Sequence, residues 1–260
     1  MAIIDCNFHS VVLKTKVNVR VALPQKIGKS TGTDLNKIYA LKKYRVLYLL
    51  HGITDDYTCW SRHTNIERYA ERENILVVMP SVSNSFYCNM KHGLKYYDFI
   101  VEELPRFIQM IFPVSTKKED TFIAGLSMGG YGALKIALKN PHRFAAVASL
   151  SGALDIIGGL DGLYRMEIVP EDIFGDCRTL EHSDENLYYL LSEKSNNVHQ
   201  IPPMYLAVGY DDFMYEANVQ FNQLAKELMY DITFVDDEGH HEWAFWDKYI
   251  QEVIKWISQM

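Results

Sequence analysis

The chain has 260 residues, 48% of them hydrophobic and 13% aromatic, with a net charge of −7. That is enough apolar material for one large α/β domain or two small ones. The acidic balance offers no basic face for phosphates and excludes a nucleic-acid binder, and no run approaches the roughly 18 apolar residues of a membrane span.

From the N-terminus, Met1–Lys16 lacks the apolar core of a signal peptide, so a cytoplasmic protein without membrane attachment is the expectation. Residues 10–23 alternate, with Leu13, Thr15, Val17, Val19 and Val21 on one face, which predicts a half-exposed antiparallel strand. Pro24 to Tyr44 reads as a long polar loop. Its Gly28-Lys29-Ser30-Thr31 is too incomplete, with no strand leading in, to be a phosphate loop. Arg45–Leu50 and Ile75–Met79 are apolar throughout and suit strands buried on both faces of a parallel sheet, with a capped helix over Asn65–Glu73 between them. The loop 81–93 is polar and aromatic, and predicts a functional rim. Tyr96–Phe112 reads as a helix with Pro105 inside it, which puts a kink or a break near Leu104.

Thr121–Gly125 reads as a short strand, Leu126-Ser127 as a tight turn, and Met128 onward as a helix stopped by Asn140-Pro141. The turn holds Gly125-Leu126-Ser127-Met128-Gly129. A serine between strand and helix is thrust out above the sheet, and the flanking glycines let the two elements approach. The helix start also presents free N–H groups that can hold an oxyanion. Phe144–Leu150 is another buried strand. Residues 153–200 carry no clear strand and read as a partly helical, cap-like insertion over the site. Met204–Val208 resumes the sheet, followed by a helix over Glu216–Tyr230, a strand over Ile232–Val235 and a C-terminal helix over Trp243–Met260. Its Trp246, Ile250, Val253 and Ile257 share one face.

Alternating strands and helices predict a single domain, 1–260, built on a mostly parallel sheet with an antiparallel N-terminal strand and helices on both faces. Ligands of such sheets bind beyond the carboxyl ends of the strands. There lie His51, Ser81, Ser127, Ser151, the pair Asp211/Asp212 and the pair His240/His241. A serine hydroxyl needs a base, and the base needs a carboxylate; serine, acid, histidine is the chain order of the α/β-hydrolases. His51 reads better as part of an oxyanion loop. His142, His182 and His199 read as surface residues. The four cysteines, Cys6, Cys59, Cys88 and Cys177, show no metal-ligand or C-x-x-C spacing and read as free thiols; no H-E-x-x-H follows His240, so neither metal nor cofactor is expected.

The stretches LYLLHGITDDYTCW (47–60), GLSMGGYGAL (125–134), GYDDFMYEAN (209–218) and GHHEWAFW (239–246) together resemble the putative-esterase branch of the α/β-hydrolases, most closely the small tributyrin esterases of Gram-positive bacteria. The resemblance implies an α/β-hydrolase fold. In its acid motif the aspartate precedes an aromatic, which selects Asp212, and its G-x-H-x-W motif selects His241. It places the oxyanion hole at the backbone N–H groups of Ile53 and Met128. The implied activity is that of a serine carboxylesterase on small short-chain acyl esters. S-formylglutathione hydrolysis and feruloyl ester hydrolysis are the alternatives. Against the first stand Gly52-Ile53-Thr54, Tyr131 and His241-Glu242-Trp243, where that subfamily carries other residues. Trp60, Tyr87 and Trp243 are candidate pocket walls. The expected partner is a small-molecule ester, and a homo-oligomer is compatible with the sequence.

Overall fold

The computed structural model describes residues 1–25, 34–38 and 43–260. Eight strands form one sheet in the order β1-β2-β4-β3-β5-β6-β7-β8. They are β1 (Ala2–Ser10), β2 (Thr15–Leu23), β3 (Arg45–Leu50), β4 (Ile75–Pro80), β5 (Thr121–Leu126), β6 (Ala146–Leu150), β7 (Met204–Gly209) and β8 (Ile232–Asp237). β2 runs antiparallel to both β1 and β4, and from β4 to β8 every pairing is parallel.

Side chains of a strand alternate between faces, and here both faces are covered. Val46, Tyr48 and Leu50 of β3 join the core under the helices Leu104–Ile111, Met128–Lys139, Leu187–Lys194 and Tyr215–Glu227. Leu47 and Leu49 join the opposite core, under the helices Ile66–Glu73 and Trp243–Ser258. The C-terminal helix buries Trp246, Ile250, Val253 and Ile257 as its apolar stripe requires. Across the centre, Leu50 pairs with Gly125, and Leu126 with Leu150. The carboxyl ends of β3, β5 and β6 therefore lie level, which lines up the loops that follow them.

Four details depart from the sequence reading. The alternating stretch 10–23 is a turn followed by β2, and the extra strand β1 precedes it, with Ile4, Cys6 and Phe8 packed against the core. Pro105 does not break its helix. Phe99–Glu103 widens into a π-helical turn just before it, and the helix continues through Ile111. The loop after β4 is less a polar rim than expected, since Val82, Ser85, Phe86, Tyr87 and Cys88 are all buried. Within 153–200, Leu187–Lys194 packs against the helices 128–139 and 215–227 as the crossover between β6 and β7, so only the earlier part reaches the site. Gly28-Lys29-Ser30-Thr31 and most of the Pro24–Tyr44 loop lie outside the described residues.

Candidate active site

Ser127 sits between β5 and the helix Met128–Lys139 with φ 52° and ψ −120°. A non-glycine residue there costs on the order of 1–3 kcal/mol and persists only when its surroundings fix it. They do. Its N–H donates to Leu150 O at 2.9 Å, and its carbonyl accepts from Tyr131 and Ala153, each at 3.1 Å. The two elbow glycines are needed for different contacts. A Cβ on Gly125 would lie 2.4 Å from the Gly129 carbonyl, and one on Gly129 would lie 2.4 Å from Leu50 O of β3.

The acid and the histidine are brought together by a similar close approach. A Cβ on Gly209 would sit 2.1 Å from Gly239 O, and the Asp211 N–H donates to that same oxygen at 3.1 Å. With the β7 and β8 loops stitched in this way, His241 Nδ1 lies 3.0 Å from both oxygens of Asp212. Nδ1–H donates to the carboxylate, which leaves Nε2 as the acceptor. Burial pushes the Asp212 carboxyl up, but hydrogen bonds from His241, Ser151 and the Met214 N–H outweigh it and hold it below the usual carboxylate range. Ser151 accepts in turn from Trp246 Nε1 at 3.0 Å. Asp211 and His240 are exposed and point to no such partner.

His51 braces the loop opposite. Its Nδ1 is 2.7 Å from Gly52 O, and its Nε2 accepts from the Val82 N–H at 3.0 Å. Burial lowers its pKa and keeps it neutral. Among the described residues the backbone N–H groups of Ile53 and Met128 have no hydrogen-bond acceptor. Both residues line one cavity with Ser127 and His241.

That cavity has a volume of about 540 Å³ and is largely apolar, with Phe86, Ala153, Ile156, Leu163, Met166, Phe213 and Met214 in its wall. Its charged lining residues are Asp155 and Glu216, with no lysine or arginine among them. The expected walls are elsewhere. Tyr87 is fully buried, with its hydroxyl donating to His51 O at 2.9 Å and its ring filling the space beside Gly132. Trp60 is buried too and donates from Nε1 to Leu50 O at 3.0 Å. Trp243 packs edge-on to both Trp60 and Trp246, and Trp246 packs edge-on to His241 with centroids 4.9 Å apart. These three rings back the site without lining it. Large aromatics at strand ends look alike in sequence whether they face a cavity or the core. Phe213, 74% exposed with its ring 4.4 Å from His241, was legible only as the aromatic that marks the aspartate.

A second polar cluster went unseen in the sequence. Lys135, buried on the helix Met128–Lys139, donates to Glu185 Oε2 at 2.6 Å, to Phe86 O at 3.0 Å and to Cys88 Sγ at 3.0 Å. Burial pushes the Cys88 thiol up to about 12, so it stays neutral and Glu185 supplies the countercharge. Among the described residues no three His, Cys, Asp or Glu side chains converge as metal ligands, and no helix is long and apolar enough to cross a membrane.

An elbow serine, a carboxylate-held histidine and a mostly parallel sheet with helices on both faces define an α/β-hydrolase of the serine esterase class. The chain matches the model of the Putative esterase family over residues 10–257 and belongs to that family; it is a carboxylic ester hydrolase. It is 35% identical over 268 residues to an acetyl esterase of Caldicellulosiruptor saccharolyticus, covering 100% of this chain and 99% of that protein. The substrate-bound structure of FphF, a fluorophosphonate-binding serine hydrolase of Staphylococcus aureus, superposes with a TM-score of 0.90 at 35% identity, covering 99% of this chain and 98% of that one. An S-formylglutathione hydrolase (FrmB) from the same organism, also 35% identical and with the same shares covered, gives 0.85.

Proposed function

We propose that this esterase cleaves small, neutral, short-chain acyl esters through Ser127, His241 and Asp212. The observation that carries the reading is His241 Nδ1 held by both oxygens of Asp212, on a histidine that shares its cavity with Ser127. His241 Nε2 takes the Ser127 proton as the hydroxyl oxygen attacks the ester carbonyl carbon. The N–H groups of Ile53 and Met128 receive the oxyanion, and Asp212 stabilises the imidazolium. The C–O bond to the alcohol then breaks, and the alcohol leaves with the proton from His241. Water, deprotonated by His241, attacks the acyl-enzyme, and the acid departs as Ser127 regains its proton.

The second reading, thioester hydrolysis of S-formylglutathione, has the FrmB likeness in its favour. Against it, glutathione carries two carboxylates, whereas the charged residues of the cavity wall are Asp155 and Glu216. Like charges in a desolvated cleft repel, which favours neutral esters. Free Cys6, Cys59, Cys88 and Cys177 suit a reducing, cytoplasmic setting. The test is kcat/KM for p-nitrophenyl acetate, butyrate and octanoate, methyl ferulate and S-formylglutathione, with Ser127→Ala as blank. Highest values on acetate or butyrate support the proposal; a preference of several decades for the thioester would replace it with the second reading.

A further inference from the structure

Most glycines around the site are there because something else occupies the Cβ position. Gly125, Gly129 and Gly209 would each drive a Cβ to within 2.4 Å of another backbone. Gly162 is the opposite case. It lies inside the short helix Leu160–Arg165, its φ is not in the left-handed region, and a Cβ placed on it meets nothing within 4 Å. Neither backbone conformation nor internal packing calls for glycine there, and in a helix interior glycine is among the poorest choices. Yet Gly162 lines the same cavity as Ser127 and His241, beside Ile156, Leu163 and Met166. Gly162 is exposed, and the space that its missing side chain leaves is open.

We propose that Gly162 is a specificity-determining residue: it holds the cavity wall open for an apolar ester substituent larger than acetyl. Resting on the esterase reading of this site, the assignment extends it from the reacting atoms to the size of the group accepted. A cavity of about 540 Å³ falls among those that enclose a sizeable organic ligand, and an acetate of a small alcohol leaves most of it empty. Ile156, Leu163 and Met166 supply apolar contact for the remainder, so each added methylene gains burial.

The experiment compares Gly162→Ala, Gly162→Leu and Gly162→Phe with the parent enzyme on two ester series. In one the acyl chain grows at a fixed p-nitrophenyl leaving group; in the other the alcohol grows at a fixed acetyl. In the series that responds, the Leu and Phe variants are expected to lose roughly tenfold or more in kcat/KM on the longest members relative to the shortest, with Ala in between. The series that responds tells which side of the ester Gly162 faces. Thermal melting separates a structural glycine from an open wall: Gly162→Ala should melt no lower than the parent, because alanine is the better helix former. A flat response on both series, or equal loss on every ester including acetate, would overturn the assignment while leaving the esterase reading in place. A parent enzyme that turns over no ester and takes no fluorophosphonate on Ser127 would overturn both.

Discussion

Two acid–base pairs flank the elbow unit, and they differ in what is left over. At the mouth, Asp212 and His241 meet with both side chains mostly withdrawn from water. Behind the helix Met128–Lys139, Lys135 is fully buried and meets a half-buried Glu185. The Lys135 ammonium has three N–H donors and three acceptors, Glu185 Oε2, Phe86 O and Cys88 Sγ. Nothing remains to react. His241 has only Nδ1 engaged, and its second nitrogen is uncommitted. Burial of a charge pair does not by itself mark a site; an unused valence facing a cavity does. The satisfied pair has a different task, since it ties the loop bearing Phe86 and the segment bearing Glu185 to the helix that starts at Ser127.

The contrast can be broken most severely at the mouth. Ser127→Ala and His241→Ala should each lower kcat by roughly 10⁴-fold or more, with circular dichroism and melting close to the parent; His240→Ala, on an exposed ring, should be mild. A milder His241→Ala than His240→Ala would reverse that assignment. Next in size, Asp212→Asn should cost on the order of 10⁴-fold in kcat by leaving His241 in the wrong tautomer, while Asp211→Asn, on an exposed carboxylate, should stay near the parent.

The satisfied pair should answer in stability instead. Lys135→Met leaves Glu185 uncompensated and should cost about 3–5 kcal/mol, read as a melting temperature lower by on the order of 10 °C. Lys135→Met with Glu185→Gln should recover much of it. Burial pushes Lys135 down, but Cys88 and Glu185 offset this and leave it above its ordinary value; burial pushes Glu185 up, but Lys135 leaves it below. The Glu185 share of stability is therefore present above roughly pH 4 and lost as pH falls through its lowered value. The Lys135 share is present below roughly pH 10 and lost as pH rises through its raised value. The double variant should flatten the pH–stability profile at both flanks. An unchanged profile would remove the pair from the fold's electrostatics.

The central strands, the elbow and the order serine, aspartate, histidine were legible because each has a local signature: a continuous apolar run, two glycines around a serine, a motif after a strand. β1 was not, because an edge strand buries little; Asp5, Asn7 and His9 face solvent while Ile4, Cys6, Phe8 and Ser10 turn inward. Lys135 hid for another reason. Between Leu134 and Ile136 it reads as the polar side of a stripe, and its countercharge lies 50 residues away. Tyr87 was misplaced because composition says only that a loop is polar and aromatic. Three of its residues, Ser83, Phe86 and Tyr87, take positive φ values of 52°, 50° and 53°. Those angles turn the loop inward.

The line of rings from Trp60 through Trp243 to Trp246 and His241 also makes the protein its own optical probe. Three of the four tryptophans stand in this edge-to-edge chain. Because an imidazolium quenches indole emission more strongly than neutral imidazole, the charge state of His241 is written into the intrinsic fluorescence. The imidazolium that accompanies each tetrahedral intermediate can then be sought in unlabelled enzyme by stopped-flow emission, because His241 is neutral again in the acyl-enzyme.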